Sequence, residues 1–345
     1  MTEKIYIRAD ANKKIGTGHM MRCLSIADKL CKSDCEVIFI VADEISALFL
    51  NDKGYEVICL HTIWDNLDTE IEALENVIST RRINKLLIDD YFVTEEYLIR
   101  INSITQVYYI DDLNSFVYPV HAVINYNIYA EDIHEYKEYP LRNLNTKFFL
   151  GTKYIPLREE FLKLKSRKYN GVKKILITSG GTDNCNMIGN ILDYLCQNNE
   201  IQRYEWYCIL GKFNENRNNI LDKYKHHSNI NILCDISNMS QYMEECDVCI
   251  TAGGTTVYEL CACGTPSIVY IIADNQLKCA KKLSEIGLMP CVGDARKDMK
   301  GCLDNIIFEI KKYENKVRWE NVSNRMQSYV DGNGSERIAE LLINE

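Results

Sequence analysis

The feature that most constrains this chain is the alternation of short apolar runs with amphipathic stretches of helical period. The first half holds strand-like runs at 5–9, 36–41, 55–60, 85–89, 106–110 and 122–125. The second half repeats the scheme at 174–178, 205–210, 230–234, 248–251 and 267–271. Between the first two runs, Met20, Leu24, Ala27 and Leu30 recur close to a period of 3.6, which predicts a helix with one buried face. Further helices are expected over 186–195, 256–263 and 276–286, the last stopped by Gly287. Strand and helix in strict alternation signal βα units and parallel sheets.

At 345 residues the chain exceeds the usual single core, so two domains are expected. The expected fold is α/β, two Rossmann-like domains facing across a cleft, the arrangement of GT-B proteins. The first spans 1–155 and the second 172–318, joined by a basic, polar connection. A helical tail follows over 319–345, interrupted at Asp331-Gly332-Asn333-Gly334 and expected to pack back on the first domain. Ligands of open parallel sheets bind beyond the carboxyl ends of the strands, which is where functional residues are sought.

A net charge of −9 argues against a general nucleic-acid or membrane-surface partner, since either needs a basic face. No apolar run approaches the ~18–20 residues of a membrane span. The N-terminal residues enter a strand-like run with no export pattern, so a cytoplasmic location and a monomer are expected. The 15 cysteines, an odd number, read as reduced thiols. Cys246-x-x-Cys249 has no second pair near it to complete a zinc site. Neither a His-x-x-x-His pattern nor a carboxylate cluster of ligand spacing occurs, so no metal or cofactor is expected.

Three glycine-rich segments follow strand-like runs. The first is Arg8-x-Asp10, then Gly16-Thr17-Gly18-His19-x-x-Arg22. Glycines here bring backbone amides to a helix start, a setting that favours phosphate. His19 is either a base near neutral pH or a helix-start residue, and Arg22 either binds phosphate or holds the loop. The second is Gly180-Gly181-Thr182-Asp183, a tight turn or a diphosphate contact, with Asp183 or Asn184 able to cap the helix. The third, Gly253-Gly254-Thr255-Thr256-x-Tyr258-Glu259, is the most specific. Its glycines and Thr255 would present amides and a hydroxyl to phosphates. Glu259, one turn on, shares their face and could accept two bonds from a ribose diol. Asn275 and Gln276 either cap a helix or read sugar hydroxyls. Asp89-Asp90-Tyr91 and Asp111-Asp112 end two strands of the first half, where carboxylates often cap loops.

These segments resemble the PseG family of UDP-sugar hydrolases from pseudaminic acid biosynthesis, and the related SpsG proteins. The resemblance covers most of the chain. Besides the motifs above it includes Asn125, Gly151-x-x-Tyr154-x-x-Leu157-Arg158-x-Glu160-Phe161 and Ile88-Asp89-Asp90-Tyr91. The third segment is also similar to MurG-type GT-B glycosyltransferases. The resemblance implies a GT-B fold with UDP held on the second domain. It implies metal-independent hydrolysis of UDP-2,4-diacetamido-2,4,6-trideoxy-β-L-altropyranose at the anomeric carbon with inversion. His19 matches the family histidine that positions or activates water, and Tyr91 a tyrosine beside it. Tyr258 departs from the pattern by standing where relatives carry a sugar-contacting asparagine.

The residue inventory suits that chemistry. Glycosidases need a second carboxyl group to protonate an alkoxide, whereas UDP is already a good leaving group. Holding the diphosphate and aiming one water are effects of position and electrostatics. Two other classes remain open at this stage: a GT-B glycosyltransferase using a UDP-sugar donor, and a non-catalytic UDP-sugar binding protein.

Overall fold

The strand-like runs form two separate parallel sheets. The structure, a computed structural model, describes residues 3–12, 14–142, 145–162, 164–211 and 214–345. It divides into one unit of Met1–Arg158 with Asn333–Glu345 and a second of Glu159–Gly332. Each unit is a parallel sheet with helices, the Rossmann-like α/β architecture expected from the sequence.

The first unit begins β1 (Lys4–Ala9), α1 (Gly18–Lys32), β2 (Glu36–Val41), α2 (Glu44–Leu50), β3 (Glu56–Cys59), α3 (Ile71–Arg81) and β4 (Lys85–Asp89). It continues α4 (Glu95–Asn102), β5 (Gln106–Ile110), β6 (Ala122–Asn125) and β7 (Lys147–Leu150). The sheet order is β3-β2-β1-β4-β5-β6-β7, with every pairing parallel. β1 lies between β2 and β4, with Ile7 opposite Phe39 on one side and Leu87 on the other. Strand order reverses there, so β1 and β4 flank the switch point at which open α/β sheets bind ligands.

Both faces of this sheet are covered, which is why its central strands read as continuous apolar runs. Ile5, Ile7, Ile38, Ile40, Leu86 and Ile88 are all buried. Met20, Leu24, Ala27 and Leu30 are the buried stripe of α1, as their spacing requires. Truncating one such side chain, Ile38→Ala for example, should cost roughly 2–5 kcal/mol through lost burial and the cavity left. β7 was not among the sequence expectations, because it is short and reached from β6 through 3-10 turns and loop rather than a helix.

The second unit begins β8 (Lys174–Thr178), α5 (Met187–Gln197), β9 (Glu205–Leu210), α6 (Arg217–Tyr224), β10 (Ile230–Cys234), α7 (Met239–Glu245) and β11 (Val248–Ala252). It continues α8 (Thr256–Cys263), β12 (Ser267–Ile271), α9 (Leu277–Glu285), β13 (Cys291–Asp294), α10 (Met299–Tyr313) and α11 (Lys316–Tyr329). Its sheet order, β10-β9-β8-β11-β12-β13, is again parallel and places a switch point between β8 and β11. β13, also unexpected, is four residues with Gly293 inside, too short to show as an apolar run.

The expected tail over 319–345 is divided. α11 stays with the second unit, where the Ser323 hydroxyl donates to Gly264 O at 2.6 Å. Only α12 (Gly334–Asn344) returns to the first, burying Ile338, Ala339 and Leu342. Lys85 Nζ caps its last turn, donating to Leu342 O at 2.7 Å and Ile343 O at 3.0 Å. The connection also belongs largely to the second unit. Arg167 donates to Thr265 Oγ1 at 2.7 Å and to Cys246 O at 2.7 Å. No helix among the described residues is long and apolar enough to cross a membrane.

Candidate active site

In the first unit the loop after β1 turns tightly. Gly16 has φ +76°, a left-handed conformation that side chains disfavour, and its amide bonds Asn12 O at 2.9 Å. α1 then starts at Gly18, so His19 stands in its first turn beside the carboxyl end of β4.

There His19, buried at 4% exposure, places Nδ1 2.6 Å from Asp89 Oδ1. Asp89 ends β4 and is fully buried. Arg22 lies one turn beyond His19 on the same helix face. Its Nε donates to Asp89 Oδ2 at 2.5 Å, and Nη2 donates to Asp89 Oδ1. Nη1 donates to Asp112 Oδ2 at 2.5 Å and to the Tyr126 hydroxyl. Burial opposes a charge on Asp89, but Arg22 and His19 outweigh it and hold its carboxyl well below the usual carboxylate range. Asp89 is thus an ionised acceptor, so the proton between it and His19 belongs to Nδ1. Arg22 Nη2 also comes within 3.0 Å of that nitrogen, but the shorter contact to the carboxylate decides the tautomer. In the neutral ring this tautomer puts the lone pair on Nε2.

Tyr91 closes the group. Its ring meets His19 edge-on at 4.2 Å between centroids, and its hydroxyl donates to Asp112 Oδ2 at 3.1 Å. Burial first, then the Asp112 charge, push its phenol far up, so it is a neutral donor. Asp111 serves the loop instead, accepting from Leu113 N and Asn114 N at 2.9 and 2.7 Å and from Tyr118 and Tyr136. Asp89, Asp112 and Tyr126 were not singled out as site residues from sequence. The available signal was the paired aspartates at the ends of two neighbouring strands.

Arg8 and Asp10 do not offer themselves to a ligand. Both are fully buried. Arg8 is gripped by Glu70 at 2.8 and 2.6 Å and by Asp10 at 2.5 Å. Tyr97 also donates to Glu70, and Asp10 accepts from Ala42 N at 2.9 Å. This network ties β1 to the loop after β2, where the sequence suggested direct substrate contact.

In the second unit the turn after β8 holds Gly180 at φ +76°, with Gly180 and Gly181 exposed and Thr182 half-buried. Gly211 packs so closely that a Cβ there would lie 2.2 Å from Gly180 O. Asp183 caps α5, accepting from Met187 N at 2.7 Å and Ile188 N at 3.1 Å. The turn after β11 leads into α8, whose first amides, like those of any helix, lack intrahelical acceptors. Gly254, Thr255 and Thr256 stand there, with Glu259 in the first turn and half-buried.

Three expected contacts are redirected. Gly253 donates its amide to Tyr270 O at 3.0 Å and packs against Val269 and Gln276, so it serves the sheet. Tyr258 is 2% exposed, with its hydroxyl 3.5 Å from Cys279 Sγ between α8 and α9. Gln276 Oε1 accepts from Ile272 N at 2.9 Å, holding the turn in which Asn275 is exposed. Cys246 and Cys249 are buried thiols whose ionisation burial disfavours. A cavity of about 750 Å³ in the first unit, lined by Lys85, Thr105 and His121 among others, lies at the opposite, amino ends of β4–β6.

The chain has the α/β GT-B fold, two parallel-sheet Rossmann-like units. Residues 174–324 match the glycosyltransferase family 28 C-terminal domain. The structure superposes on MurG of Acinetobacter baumannii with a TM-score of 0.71 and 13% identity, covering 99% of this chain and 100% of that one.

Its homologues include the spore coat polysaccharide biosynthesis protein SpsG of Bacillus subtilis, 24% identical over 81% of each chain. They also include the UDP-2,4-diacetamido-2,4,6-trideoxy-β-L-altropyranose hydrolase of Campylobacter jejuni, 26% identical over 74% of this chain and 87% of that one. An uncharacterized protein of Methanocaldococcus jannaschii is 28% identical over 83% of this chain, and the match spans only 60% of its length.

Proposed function

We propose that this chain hydrolyses a UDP-sugar by direct attack of water at the anomeric carbon, with a UDP-2,4-diacetamido-2,4,6-trideoxyhexose as substrate. The observation that carries the proposal is the 2.6 Å contact between His19 Nδ1 and Asp89. It fixes the tautomer that leaves Nε2 as a base, and Asp89 stabilises the imidazolium formed when Nε2 takes a proton from water. Arg22 and Asp112 hold that carboxylate in place, and Tyr91 holds the plane of the imidazole.

Nothing further is needed on the leaving-group side beyond binding. UDP departs as a stable anion, so no second carboxylic acid has to protonate it. In the second unit the amides of Gly180, Gly181, Gly254, Thr255 and Thr256 are assigned to the diphosphate, with the Thr182 and Thr255 hydroxyls. Glu259 is assigned to the ribose diol and Asn275 to the sugar. The similarity to the Campylobacter hydrolase supports water as the acceptor, and the family 28 domain supports a nucleotide-sugar ligand.

The test is turnover without an acceptor. A hydrolase releases UDP from such a substrate in stoichiometric amount, at a rate that added sugar or lipid acceptors leave unchanged. UDP release only in the presence of an acceptor would make the chain a transferase. Binding without release would make it a sensor.

A further inference from the structure

At the outer edge of the first sheet, three side chains of different chemistry converge. Cys59 is the last residue of β3, His61 follows in the next loop, and Glu44 is the first residue of α2. Their donor atoms lie within 4.8 Å of one another. Cys59 Sγ is 3.6 Å from His61 Nδ1, and His61 Nδ1 is 3.6 Å from Glu44 Oε1. A tetrahedral zinc ion with ordinary bond lengths sets thiolate, imidazole and carboxylate donors roughly 3.3–3.6 Å apart. These two edges therefore already match a tetrahedron, and a swing of the exposed Glu44 carboxylate closes the third.

The backbone holds this geometry. His61 has φ +55°, a left-handed conformation unusual for a residue with a Cβ. It is kept there from both sides: Leu60 N bonds Val41 O at 2.9 Å and Thr62 N bonds Ala42 O at 2.8 Å. The backbone at Glu44 is fixed in turn, because Asp43 caps α2 by accepting from Ser46 N at 2.9 Å. The loop thus presents imidazole beside thiol on one side and carboxylate on the other.

We infer that Cys59, His61 and Glu44 form a zinc(II) site with water as the fourth ligand. A thiolate with an imidazole selects a borderline or soft ion such as zinc over magnesium or calcium, which prefer all-oxygen shells. On binding, the Cys59 thiol gives its proton to solvent and its sulfur bonds the metal as thiolate. The His61 and Glu44 side chains are 71% and 68% exposed, so the ion has a direct path from solvent and an open position for water. The site ties the end of β3 to the start of α2, shares no residue with the His19 group, and does not rest on the hydrolase reading.

Sequence spacing does not announce this group, because Glu44 lies on another element and Cys59-x-His61 alone is a weak signal.

The test uses cobalt(II) as a probe on the purified, reduced full-length chain. With 15 cysteines, thiolate binding elsewhere is controlled by comparing variants. The wild type should take up about one cobalt with a thiolate-to-cobalt charge-transfer band and the visible spectrum of a tetrahedral ion, both erased by zinc. Cys59→Ser should lose that band. His61→Ala, at an exposed position where folding is not at stake, should weaken cobalt binding at least ~10-fold. No band in the wild type, or a band of equal strength in wild type and His61→Ala, would overturn the assignment, even if Cys59→Ser failed to fold.

Discussion

Asp89 accepts the Nδ1 proton of His19 at 2.6 Å while Arg22 grips both oxygens of the same carboxylate. One buried anion thus sets the tautomer of the histidine and is itself prevented from rotating. In the proposed hydrolysis, base chemistry at Nε2 depends on that arrangement.

Asp89→Asn tests it. An amide cannot accept from Arg22 and from Nδ1–H with both of its heavy atoms. The imidazole then loses its fixed tautomer and the charge that stabilises its protonated form. We expect kcat to fall about 10²–10⁴-fold with KM changed little. Steady-state UDP release, with circular dichroism to check the fold, reads this out. Turnover within a few-fold of wild type would remove Asp89 from the mechanism.

Arg8 is assigned a structural role, and Arg8→Met separates that from binding. The variant leaves Glu70 and Asp10 as buried anions without their cation, which should cost roughly 3–5 kcal/mol. Urea denaturation should show the loss, while the folded fraction binds UDP as the wild type does. A large loss of UDP affinity at unchanged stability would restore Arg8 as a ligand contact.

Asp90 supplies a pH signature. Burial pushes its carboxyl up to about 6, against ~3.9 for an exposed aspartate. The folded chain therefore binds this proton more tightly than the unfolded chain. Its contribution to stability is full below about pH 4 and is lost as the pH rises through about 6. Asp90→Asn, neutral throughout, should gain roughly 2 kcal/mol relative to wild type between pH 4 and pH 8. Paired denaturation curves at the two pH values measure this. A pH-independent difference would contradict it.

Glu259 should act on binding alone. Glu259→Ala is expected to raise the Kd for UDP, measured calorimetrically, about 10-fold and to leave kcat near wild type. An unchanged Kd would place the ribose elsewhere.

Much of the fold was legible because both sheets are buried on two faces and their strands read as continuous apolar runs. The strands at 85–89 and 248–252 are examples. The short outer strands β7 and β13 had too few residues to register. Turns and helix starts were legible where a turn demands glycine, as at Gly16 and Gly180, and where a helix begins, as just before His19. What the pattern could not reveal was the partner of each polar group. Arg8 and Arg22 look alike in sequence, yet one is consumed by Glu70 and the other organises His19. Glu70 reaches Arg8 from 62 residues away, a pairing that no local spacing announces. Tyr258 looked like a ligand contact because its neighbours in sequence do, but helical geometry turns it inward toward Cys279.

The most direct measurement is acceptor-free turnover of a UDP-2,4-diacetamido-2,4,6-trideoxyhexose in heavy-oxygen water, with mass spectrometry of both products. The account predicts stoichiometric release of UDP without label, heavy oxygen on the anomeric carbon of the sugar, and near-complete loss of turnover in His19→Asn. Heavy oxygen in UDP, no release until an acceptor is added, or full activity in His19→Asn would contradict it.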